Sequence, residues 1–363
     1  MWKKWISLIV AVVMLVSLLV GFTGCAKPPV EKPPVEKPVV KWRAQDCLPS
    51  GHPFHGFLKS FCDIDRKLSE GRFDITPYGV GELVPFGDMT EAVSKGTLEV
   101  MSWCAYYDHG RNPAADLFTC WPFGFSGYQY LLWIDKYGGR EMCEELYGKW
   151  NIKPIPFYLG FAQILGQTKK PYENLDQLKG KIFRSSGLQA EVLKELGMQV
   201  IFLPSGELYT AIERGTIDVL EFAGPSYNYA AGFHKVAPHI LAPGWHEPAS
   251  QCWLMVNMDA WKKLPEEYKF MVEVAAKAIL KPCATELYYG DVVALDKMVK
   301  EGCVIHRLPD SDLAKIEAAT KIVLDRYAAK DPFFAKVLAS QRKCLEDIKR
   351  VEKVTGDLSY KVP

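Results

Sequence analysis

Two nine-residue stretches, far apart in the chain, share one grammar. Residues 92–100 read Ala-Val-Ser-Lys-Gly-Thr-Leu-Glu-Val, and residues 211–219 read Ala-Ile-Glu-Arg-Gly-Thr-Ile-Asp-Val. Each is the end of a helix, a glycine suited to its C-terminal cap, and then a strand, expected over 98–103 and 217–222. A handover from helix to strand that occurs twice in the same form favours two related α/β lobes. The flanking sequence agrees. Phe54, Phe57, Leu58, Phe61, Ile64 and Leu68 fall at helical spacing before a strand at 73–75. Strand 181–184, helix 188–196 and strand 200–202 continue the alternation, which predicts sheets covered by helices. Residues 265–300 and 311–350 read as helical, and the Gly/Pro-rich stretches 122–127 and 242–248 as loops.

The first residues set the compartment. Lys3 and Lys4 precede an apolar run over 5–22, the pattern of a secretory signal. The Gly24-Cys25 junction resembles a bacterial lipobox, with Phe22 at a position where leucine is usual. Residues 1–24 are therefore expected to be a lipoprotein signal peptide and Cys25 the lipidated residue. An uncleaved anchor helix is the alternative, since the run is nearly long enough to span a bilayer. Two copies of Pro-Pro-Val-Glu-Lys begin at Pro28 and Pro33, so 25–41 reads as a lipidated cysteine and an extended tether of roughly 3.1 Å per residue. The protein is expected in the periplasm or at the cell surface, held to a membrane by its lipid.

A formal net charge of +1 over 363 residues leaves no electrostatic footprint for nucleic acid. The chain has ten cysteines. With Cys25 assigned to the lipid, an odd number remains, without a CxxC or a compact framework, so most are expected as buried free thiols, with one or two disulfides open. No GxSxG elbow, Walker loop, HExxH or GxGxxG occurs, and no catalytic residue is assigned. His52 and His55, three apart, would suit a metal pair; without a third ligand, capping and packing account for them.

The strongest polar signals sit at strand ends and in loops. Arg184 closes a strand and precedes Ser185-Ser186-Gly187, where a guanidinium could clamp a carboxylate or form a structural ion pair. Glu221 ends the apolar strand Ile217-Asp218-Val219-Leu220 and needs a cation or a donor at that depth. Gln163 is a neutral polar residue inside Phe161-Ala162-Gln163-Ile164-Leu165, and Trp245-His246-Glu247 adds a loop carboxylate.

Taken in order, these and other segments carry a resemblance. The carriers include Leu48-Pro49-Ser50-Gly51-His52-Pro53, Gly79-Val80-Gly81-Glu82-Leu83-Val84-Pro85, Leu178-Lys179-Gly180-Lys181-Ile182-Phe183-Arg184, Gly206-Glu207-Leu208-Tyr209-Thr210-Ala211 and Gly232-Phe233-His234-Lys235-Val236-Ala237. From about Trp42 to about Leu308 the chain resembles the extracytoplasmic solute receptors of TRAP transporters, the DctP-like family. It is most similar to the branch that binds 2-oxo or 2-hydroxy acids together with a metal cation. The resemblance implies a two-lobed α/β fold of the periplasmic-binding-protein kind, with discontinuous lobes, a hinge and long C-terminal helices. Lobe I would comprise 42–162 plus 252–290, and lobe II 163–251 plus 291–363 with the C-terminal helices. It implies a receptor, not an enzyme, that delivers a small organic acid to membrane permease subunits.

By the same resemblance Arg184 would clamp the ligand carboxylate. Gln163, Glu221 and Glu247, with the Phe222 backbone carbonyl, would hold the cation. Two carboxylates and an amide oxygen suit Na⁺ or Ca²⁺ better than zinc. Tyr106 and Tyr107 would wall the pocket from the other lobe. The chain departs from its relatives at Phe222, where they have tryptophan, and at Leu159, aligned where they have asparagine, which implies a more apolar lining. The helical segment from 311 onward would either brace the lobes or form a homodimer. Competing readings are an ABC-type binding lipoprotein, a surface metal-dependent enzyme and a sensory receptor.

Overall fold

A computed structural model of the chain describes residues 38–356. The signal peptide, Cys25 and the tether as far as residue 37 lie outside the described residues. The strands form two sheets. The first has the order β2 (Phe73–Tyr78), β1 (Val40–Asp46), β3 (Val100–Cys104), β10 (Ala249–Asn257), β4 (Ile152–Phe161). The second runs β11 (Val304–Arg307), β9 (His239–Ala242), β5 (Gly166–Thr168), β8 (Val219–Leu220), β6 (Ile182–Arg184), β7 (Gln199–Ile201).

The internal echo belongs to a repeated topology. β1 pairs in parallel with both β2 and β3, and β6 pairs in parallel with both β7 and β8. Parallel neighbours need crossovers, and helices supply them: His55–Leu68 and Met89–Lys95 in the first sheet, Gly187–Glu195 and Leu208–Arg214 in the second. Both echo helices end on a glycine in the left-handed region, Gly96 at φ 76° and Gly215 at φ 78°. The next amides close the same cap: Thr97 N donates to Ala92 O and Thr216 N to Ala211 O, both at 2.9 Å. Strand β8 is shorter than its sequence predicts and ends at Leu220. The physical reason is that the Glu221 carbonyl accepts from the Arg184 guanidinium at 3.0 Å instead of continuing the ladder.

The chain crosses from the first sheet to the second after β4, and returns between β9 and β10. The two crossings run side by side, with Gln163 N donating to Glu247 O at 3.1 Å and Leu165 N to Leu241 O at 3.0 Å. Gly244 makes this approach feasible, because a Cβ there would lie 2.0 Å from the Gln163 carbonyl oxygen. A third connection is the 35-residue helix Glu266–Lys300, which leads from the first sheet toward β11.

The expected helical tract 311–350 is two helices, Asp310–Lys330 and Pro332–Thr355. The break is local: Pro332 disfavours helical geometry at Asp331, which is extended (φ −127°, ψ 109°) and caps the second helix through Phe333 N at 2.8 Å. These helices bond to both sides of the molecule. Asp312 accepts from Leu175 N at 2.8 Å and Arg326 pairs with Glu195. Trp133 Nε1 donates to Ser340 Oγ and Tyr137 OH to Asp347, each at 3.1 Å.

Candidate functional site

Each echo delivers the chain to the space between the sheets. After β3 comes the tight turn Ala105–Asp108. Its buried Asp108 accepts from Thr90 Oγ1 at 2.7 Å, Trp103 Nε1 at 2.9 Å and the Tyr147 hydroxyl at 2.9 Å. Three donors on one carboxylate fix the turn and therefore the rings of Tyr106 and Tyr107. The Tyr107 ring reaches the other sheet's Phe202 at 6.0 Å, beside a Phe86–Phe202 contact at 5.8 Å.

After β8 come Glu221 and Phe222. Arg184, 3% exposed, donates from Nε to Leu203 O at 3.1 Å and from Nη1 to Glu221 O at 3.0 Å. Its guanidinium carbon lies 5.3 Å from the Phe202 ring centre and 5.6 Å from that of Phe222. Backbone carbonyls and ring faces thus hold the plane of the group, while Nη2 stays uncommitted among the described residues. Glu221 Oε2 is 3.5 Å from Arg184 Nη1, and Oε1 is 3.5 Å from His246 Nε2.

The two crossings complete the group. His246 Nε2 is also 3.4 Å from Gln163 Oε1, so Gln163, His246, Glu221 and Arg184 form a continuous polar chain. Glu247 is buried beside them, and its Oε1 has no hydrogen-bond partner among the described residues. Burial, foremost, raises its carboxyl to about 7; Glu221 pushes the same way, while His246, Ser250 and Cys120 pull against it.

A cavity of about 70 Å³ opens against this group. Tyr106, Tyr107 and Tyr158 face it from the first sheet, Phe222 and Tyr227 from the second, and Gln163 and Glu247 from the crossings. A smaller space of about 20 Å³ lies between Tyr106, Glu221, His246 and Glu247. Arg184 is not in the cavity wall itself; it is buried against Phe222. Leu159 does not line the cavity either. Alternation along β4 presents Tyr158 and Gly160 there, so the apolar lining expected from Leu159 is replaced by a tyrosine and a glycine. His52 and His55 are not a metal pair. His55 Nδ1 is 3.1 Å from Asp46, and the His52 ring lies 4.8 Å from that of Tyr227, with burial lowering its pKa to about 4.

His246 was legible only as a neighbour of Glu247; nothing local marks it as the link between Glu221 and Gln163. Tyr158, Tyr227 and the cavity thiols Cys47, Cys104 and Cys252 carry no local signal at all. All nine cysteines among the described residues are free, so neither of the disulfides left open by the sequence is formed. An orphaned buried carboxylate oxygen, with an amide oxygen and a second carboxylate close by, fits a hard cation: it would take up oxygens that otherwise repel one another.

Residues 45–331 match the family of bacterial extracellular solute-binding proteins, family 7 (DctP). A monocarboxylate 2-oxoacid-binding periplasmic protein of Nostoc sp. is 32% identical over 327 residues, 88% of each chain. A TRAP transporter solute-binding protein of Bordetella bronchiseptica, solved with calcium and picolinate, has a TM-score of 0.85 at 30% identity, covering 88% of this chain and 95% of that one. One from Pseudoalteromonas atlantica with sodium and pyruvate has a TM-score of 0.83 at 30% identity, covering 88% and 97%. One from Colwellia psychrerythraea with calcium and pyruvate has a TM-score of 0.84 at the same identity and coverage. The chain belongs to the DctP family of TRAP-transporter solute-binding proteins.

Proposed function

We propose that this protein captures a small 2-oxo or 2-hydroxy acid together with Na⁺ or Ca²⁺ between its two sheets and presents it to the membrane subunits of a TRAP transporter. The observation that carries the reading is that Glu247, with an unpartnered oxygen, lines the cavity together with Gln163 and the adjoining smaller space together with Glu221. These oxygens, with the Phe222 carbonyl, would hold the cation. Arg184 would turn its uncommitted Nη2 to the ligand carboxylate, and the acid would chelate the ion through a carboxylate oxygen and its neighbouring oxygen. The cavity of about 70 Å³ matches about five or six water-sized groups, which favours an acid the size of pyruvate or lactate over a sugar acid.

Closure would occur about the paired crossings near Gln163 and 243–248; the lobe boundary expected after 251 falls inside β10 of the first sheet and moves back to these crossings. A ligand that touches both sides shifts the population toward the closed form. The reading includes a lipid on Cys25 that keeps the receptor near its permease.

The test is thermal unfolding of chelator-treated protein with a panel of 2-oxo acids, 2-hydroxy acids, dicarboxylates, sugars and amino acids, each with Na⁺ or Ca²⁺. A ligand that binds only the native state raises the midpoint. A shift with short 2-oxo or 2-hydroxy acids that requires the cation supports the reading. A shift with sugars or dicarboxylates alone, indifferent to cation, overturns the assignment of the site.

A further inference from the structure

Three free thiols meet in the cavity wall, and ligand capture as described uses none of them. Cys47 follows β1, Cys104 ends β3 and Cys252 lies in β10. Cys104 and Cys252 face each other in the antiparallel register of β3 and β10. Facing residues in such a pair have Cα atoms about 4.5–5.5 Å apart, inside the roughly 4.4–6.8 Å over which a disulfide closes without moving the backbone. The two sulfurs are 2.7 Å apart, about 0.7 Å beyond the covalent distance. Cys47 lines the same stretch of wall beside the pair. The register of β10 shifts between Cys252 and Trp253, which places the pair at an irregular point of the strand.

We propose that Cys104 and Cys252 are a redox-active dithiol in the wall of the ligand cavity, converted to a cross-strand disulfide by exchange with a disulfide donor. One cysteine sulfur, as thiolate, attacks the donor's S–S bond, and a first donor thiol leaves. The second cysteine then attacks the protein sulfur of this mixed disulfide, and the second donor thiol leaves. The two cysteines give up two electrons and two protons, and the donor carries them away as two thiols.

Geometry decides when this happens. The pair is buried, and a cavity of about 70 Å³ cannot admit a donor alongside a bound acid. Its hydrogen bond to Cys252, first, and then burial hold the Cys104 thiol well above its ordinary pKa, which keeps it protonated and slow to attack in this arrangement. Exchange therefore proceeds from the open form, and a captured ligand protects the pair. The disulfide would tie the strand leading to Tyr106 and Tyr107 to the strand that follows Glu247 and contains Ser250. It would reshape the wall against which the acid packs.

The full chain, reduced and then incubated with excess oxidised glutathione, is alkylated, digested and mapped by mass spectrometry. A Cys104–Cys252 crosslink is expected, absent from C104S and C252S and retained in C47S. Calcium with pyruvate at ten times the half-saturating concentration should slow its formation about tenfold, because about a tenth of the protein stays free. This arm rests on the proposed ligand. Recovery of both residues as alkylated free thiols, or Cys47 as the partner of either, overturns the dithiol. A crosslink that forms equally fast with an acid that does raise the melting midpoint overturns its place in the cavity wall. If no acid raises the midpoint, the ligand reading fails and the crosslink alone decides the dithiol.

Discussion

Neutralising Glu247 should test the proposed cation site. In the absence of a cation its carboxyl is held at about 7, chiefly because it is buried. A cation requires the ionised form, so ion binding must expel a proton from whatever fraction is protonated. With a pKa near 7, about nine-tenths of the sites are protonated at pH 6 and about a tenth at pH 8. Wild-type affinity for calcium, with pyruvate saturating, should therefore rise about tenfold from pH 6 to pH 8, with about one proton released per ion at the lower pH. Glu247→Gln keeps the shape and an acceptor oxygen but has nothing to titrate. Its profile should be flat, and it should bind at least about tenfold more weakly at pH 8, since a carboxylate beside a divalent ion is worth several kcal/mol even at an effective dielectric of about 20. Titration calorimetry in two buffers of different ionisation enthalpy reads both the affinity and the proton count. A wild-type affinity independent of pH over this range would refute the reasoning. A slope that persists in the Gln variant would remove Glu247 as the source of the linkage.

Three further outcomes follow from named contacts. Arg184→Lys loses the fork that bonds the Leu203 and Glu221 carbonyls, and an ammonium cannot offer the same plane to a carboxylate. Pyruvate affinity by calorimetry should fall about 10- to 100-fold, and unchanged affinity would remove Arg184 from the site. Gly187→Ala places a Cβ 2.7 Å from Asp116 Oδ2 and 3.2 Å from Tyr106 Cβ, at φ +59°. It should prop the sheets apart, weakening the acid about tenfold, and small-angle scattering should show a larger radius with ligand present; a wild-type radius would contradict closure at this contact. Asp65 is fully buried on the helix His55–Leu68, with neither carboxyl oxygen hydrogen-bonded among the described residues, and burial raises it from 3.8 to about 7. Its folded pKa exceeds the unfolded one, so its contribution is full below about 4 and is lost as pH rises to 7. That loss is on the order of 4 kcal/mol. Asp65→Asn should flatten this part of the urea-unfolding profile between pH 4 and 8, and an unaltered profile would count against the assignment.

Much of this protein was legible along the chain because it depends on short-range rules. The helix–glycine–threonine–strand echo requires only that a glycine adopt a left-handed cap, and Gly96 and Gly215 do so with the same hydrogen bonds. The order of strands and helices followed from periodicity, as did the placing of Arg184 and Glu221 at the end of, or just beyond, strands where side chains meet a cleft. Boundaries moved where a long-range bond outcompeted the ladder, as at Glu221, or where a proline broke a helix that periodicity alone would have continued, as at Asp331-Pro332.

The sequence by itself determined two α/β units and the residue types available to a carboxylate and a cation. Only the tertiary structure decided that they come together. Gln163 meets Glu247 because two crossings run in register over Gly244, His246 joins Glu221 to Gln163, and Cys104 faces Cys252 across two strands. Those distances are set by the pairing of segments remote in sequence, and no local pattern of polarity or propensity carries that information.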